Sequence, residues 1–362
     1  MTPHRPDEPS ARPAGSRLPT LGVGGHRVVL VPDRIPSPPP AVLTDAEVLV
    51  VVTRDGFVES VHRAAAVVTD PTGTVALATS EPTGPILPRS SLKPVQTLAM
   101  LRAGLDLPPD LVALATASHS AEAFHLDGVR RILTGAGLTE AALQNTPDLP
   151  YPDDERAAWL AAGRGPAAIV QGCSGKHAGM LATCVAAGWD PASYLDPAHP
   201  LQRLIAETLA EVAGEPVAAT VVDGCGAPAM AVSLTGLARA FGRIAAAPAG
   251  SPEARVADAM RSYPEFVAGT TRDVTALMRG TPGAIAKDGA EGVYAVGLPD
   301  GRGVAVKVAD GSDRARAVAL AVVLRRIGVE SAAYPVLESA PVFGHGEPVG
   351  SVAAIRRPAD AP

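Results

Sequence analysis

The chain has 362 residues, of which 47% are hydrophobic and only 3% aromatic, with a formal net charge of −6. That length and apolar content are enough for a substantial core in one large or two moderate domains, and they exclude a disordered chain. The acidic balance gives no electrostatic reason to expect nucleic acid or an anionic membrane, so small-molecule chemistry is the class to test. Three cysteines, Cys173, Cys184 and Cys225, are too few and too scattered for a disulfide framework. No apolar stretch resembles a secretory leader or reaches the about eighteen residues a bilayer span needs, so the expected compartment is the cytoplasm.

Residues 1–43 are rich in Pro, Arg, Gly and Ser and end near Pro36-Ser37-Pro38-Pro39-Pro40. They are expected to form a flexible extension, with Arg27 to Val31 its most ordered part, ahead of a folded domain over 44–355. Val48–Val52, Phe57–Val68 and Thr74–Ala78 then read as strands. Asp55-Gly56 and Asp70-Pro71-Thr72-Gly73 supply the turns of an antiparallel meander.

Directly after this sheet comes the polar knot Pro88-Arg89-Ser90-Ser91-Leu92-Lys93-Pro94-Val95-Gln96. In a helix opening near Ser90, the serine and Lys93 share one face, which is the geometry of a serine nucleophile with a lysine base. The alternative is a helix-capping serine followed by a solvated lysine. Composition speaks for the first: lysine occurs only at 93, 176, 287 and 307, against 27 arginines. A chain that uses guanidinium for ordinary positive charge keeps lysine where a proton must be given up.

Leu111–Ala117 is a short apolar segment, and Ser118-His119-Ser120-Ala121-Glu122 opens another helix, with Ser120 the expected N-cap. Tyr151–Arg156 reads as a loop entering a helix. Helical patterns follow at 176–187, 201–212, 229–240 and 252–261, then strands at 284–286, 292–298 and 303–308 and a helix over 312–327. Strands, a block of helices and strands again predict an α+β fold whose last strands rejoin the first sheet.

Three further knots carry chemistry. Gln171-Gly172-Cys173-Ser174-Gly175-Lys176-His177-Ala178-Gly179 lacks the first glycine and the Ser/Thr of a phosphate-binding loop, which argues against nucleotide binding. In Val222-Asp223-Gly224-Cys225-Gly226 a cysteine sits among glycines, unlike Cys184 in its apolar helical run. Cys173 and Cys225 form a metal pair, a redox pair or two separate loop residues. In Ala284-Ile285-Ala286-Lys287-Asp288-Gly289 a strand-ending lysine either points into a cleft or lies on the surface. Lys307, in a strand near Asp310, is expected to be structural. Among the histidines, His62, His119 and His177 lie closest to these knots, and Ser-Lys pairs fit the spacings better than a Ser/His/Asp triad.

These knots, in this order, resemble the L-asparaginases called rhizobial-type (class 3) or asparaginase II-like. The likeness runs from about Val48 to Gly350 and also takes in Arg54–Arg63, Val267-Ala268-Gly269, Gly292–Gly297 and Gly346–Gly350. The resemblance implies a fold similar to serine β-lactamases and glutaminases, a homodimer, and hydrolysis of the side-chain amide of L-asparagine. It also implies two catalytic tandems, Ser90 with Lys93 and Ser118 with Lys287, a zinc held by Cys173, Lys176 and Cys225, and Arg89, His177 and Asp223 as pocket residues. Ser-x-x-Lys is shared with penicillin-binding serine acyl-enzymes, but the Ser-Asp-Asn element expected of those is absent. A non-enzymatic amino-acid binder of the same fold is the other alternative.

Overall fold

The computed structural model describes residues 21–23, 26–28 and 40–355. Leu21–Val23 and His26–Val28 pair as an antiparallel hairpin; the rest of the expected N-terminal extension before residue 40 lies outside the described residues. The main body starts with the short helix Ala41–Thr44, whose Val42 is buried.

An eight-stranded antiparallel sheet organises that body. Glu47–Arg54 and Phe57–Thr69 form its first hairpin, and Val75–Ala78 pairs beside them. Across the long strand, Ala64–Thr69 pairs with Gly303–Val308, which is followed outward by Val293–Gly297 and Ile285–Gly289. On the other side, Glu347–Ala354 and then Ser339–Gly344 extend the sheet to its far edge. The chain thus leaves the sheet, builds a helical region and returns, as the α+β reading expects.

Gly303–Val308 is buried along its whole length, so both of its faces are covered. Leu234–Ala245 packs on it, with Ala238 against Gly303, while Asp313–Arg326 also packs on the sheet. A Cβ on Gly303 would lie 1.8 Å from the Ala238 carbonyl oxygen, so only glycine lets that helix sit so close. Ala, Val and Leu dominate the core. Among the described residues no helix is long and apolar enough to cross a membrane.

Several elements differ from their sequence reading. Ser90 does not open an α-helix: Arg89–Leu92 is a 3-10 turn, and the α-helix runs from Lys93 to Arg102. Residues 229–240 divide into the strand Pro228–Ser233 and the helix from Leu234, whose N-cap Ser233 accepts from Gly236. Ser120 is not an N-cap. Its hydroxyl donates to the Ala268 carbonyl at 2.9 Å, and Glu122 caps the helix Ala123–Gly135 through a capping box.

The strand Ile285–Gly289 ends directly against the turn that carries Ser90. A Cβ on Gly289 would meet the Pro88 carbonyl oxygen at 2.4 Å. Gly289→Ala is therefore expected to push the strand off the turn, costing about 1–3 kcal/mol by overpacking. A lower urea midpoint together with reduced turnover is the expected result, and an unchanged midpoint would contradict this close packing.

Candidate active site

Ser90, Ser118, His119, Gly172, Cys173, Arg272, Asp288 and Arg316 line one cleft. Arg89, just before Ser90, is in the left-handed region at φ 54°. Such a conformation in a non-glycine residue costs on the order of 1–3 kcal/mol and persists only where its surroundings enforce it. Here Arg89 Nε and Nη2 both reach Asp223 Oδ1, at 2.8 and 2.7 Å. The pair clamps the turn, and neither residue belongs to the cleft lining. Although burial opposes it, Lys176 and Arg89 hold the Asp223 carboxyl below its ordinary range.

All four lysines are buried, Lys93 and Lys287 at 1% and 0% exposure. The solvated-lysine alternative for Lys93 therefore fails. Its Nζ donates to Ser118 Oγ at 3.0 Å and to the Ala117 carbonyl. Ser118 follows the helix Pro109–Ala115 and is pinned by its own N–H to the Val267 carbonyl at 3.0 Å. Among the described residues Ser90 makes no side-chain hydrogen bond. The two serines thus share the cleft, and Lys93 reaches the second of them.

Lys287 points inward, not to the surface. It donates to the Asp288 carbonyl at 2.8 Å and pairs with the Asp288 carboxylate; no hydrogen bond joins it to Ser118. The same carboxylate takes Arg272 Nη2 at 2.8 Å and Arg316 Nη2 at 2.9 Å. Burial lowers Lys287 to about 8 against the pull of Asp288, helped by the positive charge of Lys93. Burial opposes ionisation of Asp288, yet Lys287, Arg316 and Arg272 together hold it far below the carboxylate range. Lys307 donates to the Glu291 carbonyl, a structural contact.

Burial keeps His119 neutral, well below its ordinary range. Its Nδ1 accepts from the Ala121 N–H at 3.1 Å, so its Nε2 donates to Ser174 Oγ at 2.8 Å, and the Ser174 hydroxyl in turn donates to the Ile169 carbonyl at 2.7 Å. That chain fixes the loop beside Ser118. His177 is also buried and held neutral. Its Nδ1 meets the Tyr194 hydroxyl at 2.7 Å, its Nε2 has no partner among the described residues, and the ring is not in the cleft lining. His62 lies apart, its Nδ1 2.6 Å from Asp310 Oδ2.

Cys173, Lys176 and Cys225 converge. Cys225 is hydrogen-bonded to Cys173, which raises Cys225 and lowers Cys173, and Lys176 donates to Cys225 Sγ at 3.2 Å. Burial pulls Lys176 down, but the two sulfurs and Asp223 raise it overall. Cys173 caps the helix Ser174–Ala187, while Cys184 is packed inside that helix. Among the described residues no three His, Cys, Asp or Glu side chains form a metal-binding group, so a metal here needs the lysine as third donor. Two thiols and an amine facing one another suit a borderline-soft ion such as zinc.

The family described as L-asparaginase II matches residues 50–354. The chain belongs to the L-asparaginase II family. No curated protein sequence matches it. Among solved structures it is similar to Mglu in its native form in 4.3 M NaCl, at 12% identity and a TM-score of 0.41, covering 74% of this chain and 61% of that one. A putative β-lactamase from Bacteroides dorei shares 14% identity at a TM-score of 0.39, over 72% of this chain and 93% of that one. A β-lactamase from Mycobacterium bovis shares 14% at a TM-score of 0.36, over 69% and 88%. The chain thus spans less than two thirds of Mglu.

In this asparaginase II-family chain, sequence reasoning missed Arg272, Arg316 and the part played by Asp288. The one available signal was Asp288 itself, a carboxylate next to a lysine expected in a cleft. Tyr151 and Asp148, from the loop before the helix Asp153–Ala161, complete the cleft's outer wall.

Proposed function

We propose that the protein is an L-asparagine amidohydrolase working through a serine acyl-enzyme. The observation that supports this best is the 3.0 Å hydrogen bond between Lys93 Nζ and Ser118 Oγ at a cleft lined by a second, unengaged serine, Ser90. Ser90 Oγ attacks the side-chain carboxamide, and its proton passes to the Lys93–Ser118 pair. That pair returns the proton to the leaving nitrogen as the C–N bond breaks, releasing ammonia and leaving an ester on Ser90. Water then cleaves the ester to L-aspartate and restores the hydroxyl. The Ser91 N–H of the Arg89–Leu92 turn is taken by the Pro88 carbonyl at 3.2 Å, so the Ser90 N–H is the donor this turn offers the tetrahedral oxyanion.

Lys287 is the second proton carrier in this reading. A lysine with its pKa near 8 is protonated at neutral pH and sheds its proton just above it. Catalysis that needs its neutral form therefore rises with pH across about 8, and kcat/KM against pH is expected to show that limb. Lys287→Gln is expected to lose the limb together with most of the turnover. A limb that persists in the variant would assign it to another group.

Cys173, Lys176 and Cys225 would hold the zinc. When bound, the ion supplies a fixed positive charge that orders the pocket wall beside Ser118 and polarises what lies against it. Lys176 must give up its proton to act as a ligand, since an ammonium has no lone pair. The reading also includes a serine β-lactamase/glutaminase-like arrangement of sheet and helical block, a single domain over 44–355 and a homodimer.

Ammonia release from L-asparagine and L-glutamine tests the function, beside Ser90→Ala. Release from asparagine that the variant abolishes is the expected result. Folded wild-type protein that releases ammonia from neither amide would overturn the reading in favour of an amino-acid binder.

A further inference from the structure

An amide hydrolase for a free amino acid needs a cation for the α-carboxylate, and the cleft offers several that are unequally occupied. Arg316 donates to Asp313 and Asp288, both at 2.9 Å, and to the Gly289 carbonyl at 3.4 Å, and its Nε, which has no partner among the described residues, is buried and closed to a ligand. Arg156 spends its Nε and Nη2 on the Pro150 and Tyr151 carbonyls, at 3.1 and 3.3 Å. Arg89 is clamped to Asp223 away from the cleft lining.

Arg272 differs. Its side chain is 13% exposed, and its one hydrogen bond runs from Nη2 to Asp288 Oδ2 at 2.8 Å. Its Nε faces Asp273 only at 3.9 Å, and Nη1 has no partner among the described residues. The Asp288 carboxylate is shared with Lys287 and Arg316, so it does not neutralise Arg272 alone. The guanidinium also lies 4.8 Å over the ring of Tyr151, another cleft residue, which fixes its plane. A held guanidinium with unused N–H groups in a cleft is a carboxylate receptor.

We propose that Arg272 anchors the α-carboxylate of the substrate, restricting the enzyme to amides of free amino acids. The inference rests on the amidohydrolase reading for what the site turns over, but not for what it binds. Its test is calorimetric titration of wild type, Arg272→Gln and Arg272→Lys with L-aspartate and with 3-aminopropanoate, which is aspartate without the α-carboxylate.

Wild type is expected to bind aspartate more tightly than 3-aminopropanoate. Arg272→Gln should lose about tenfold to a hundredfold for aspartate only, with Arg272→Lys in between. Equal loss for both ligands, equal affinity of wild type for both, or no aspartate binding by folded wild type would each overturn the anchor. Persistence of the preference without ammonia release from asparagine would overturn the hydrolase reading and leave the anchor standing.

Discussion

Replacing Lys93 by methionine is expected to cut ammonia release from asparagine by about 10²–10⁴-fold, the range that general acid–base groups contribute. Lys93 is 1% exposed and its amine serves the Ser118 hydroxyl and the Ala117 carbonyl. Methionine fills much of the same buried space, so the fold survives at a cost of about 1–3 kcal/mol for the carbonyl left without a donor. Lys93→Arg separates the two reasons a cation could be needed. Guanidinium keeps the charge but cannot take part in proton transfer, so arginine is not expected to rescue turnover. Because the groups act as a unit, Ser118→Ala added to Lys93→Met is expected to cost little more than the single change. Steady-state kinetics on folded variants decides it: an arginine variant within tenfold of wild type would make Lys93 an electrostatic group and sink the base.

Much of this site was legible because lysine is scarce. The sequence reading reaches Lys93, Lys176 and Lys287 from composition and neighbours alone, and each of the three is buried among polar partners. The first hairpin was legible for a different reason: strand-length apolar runs end at glycine turns that set their boundaries. Pro228–Ser233 escaped because a strand buried on both faces has no alternation and, when rich in alanine, reads like the helix that follows it. Ser339–Gly344 and Glu347–Ala354 carry Pro341 and Pro348 within them, which demotes a strand reading, although both lie at or near a sheet edge where proline is tolerated.

The charges around Asp288 were illegible on other grounds. Arg272 precedes one helix as its N-cap residue, Arg316 lies within another, and both look like any of the other arginines; only the fold brings them to one carboxylate. The partner of Ser118 was equally hidden. Spacing suggests Lys93 for Ser90, but the 3-10 turn and the path of the chain after Ala115 bring Ser118 to the amine.

That shared carboxylate leads to the largest expected effect on stability. Asp288 is 4% exposed and meets Lys287, Arg272 and Arg316. Asp288→Ala leaves buried cations without their common counter-ion, and breaking a buried ion pair from one side costs about 3–5 kcal/mol. The pH dependence fixes the sign. A carboxyl whose folded pKa is depressed stabilises the fold above its unfolded value, about 3.9, and loses that contribution as pH falls further. Urea titrations are thus expected to show a wide gap between wild type and Asp288→Ala at pH 7, narrowing below about pH 4. Asp288→Asn keeps the shape and some hydrogen bonds but not the charge. With less negative charge beside it Lys287 holds its proton less tightly, so in that variant the activity limb near 8 is expected to move to lower pH. A stability gap independent of pH, with the limb unmoved, would mean that Asp288 fills space and leaves the proton on Lys287 to other groups.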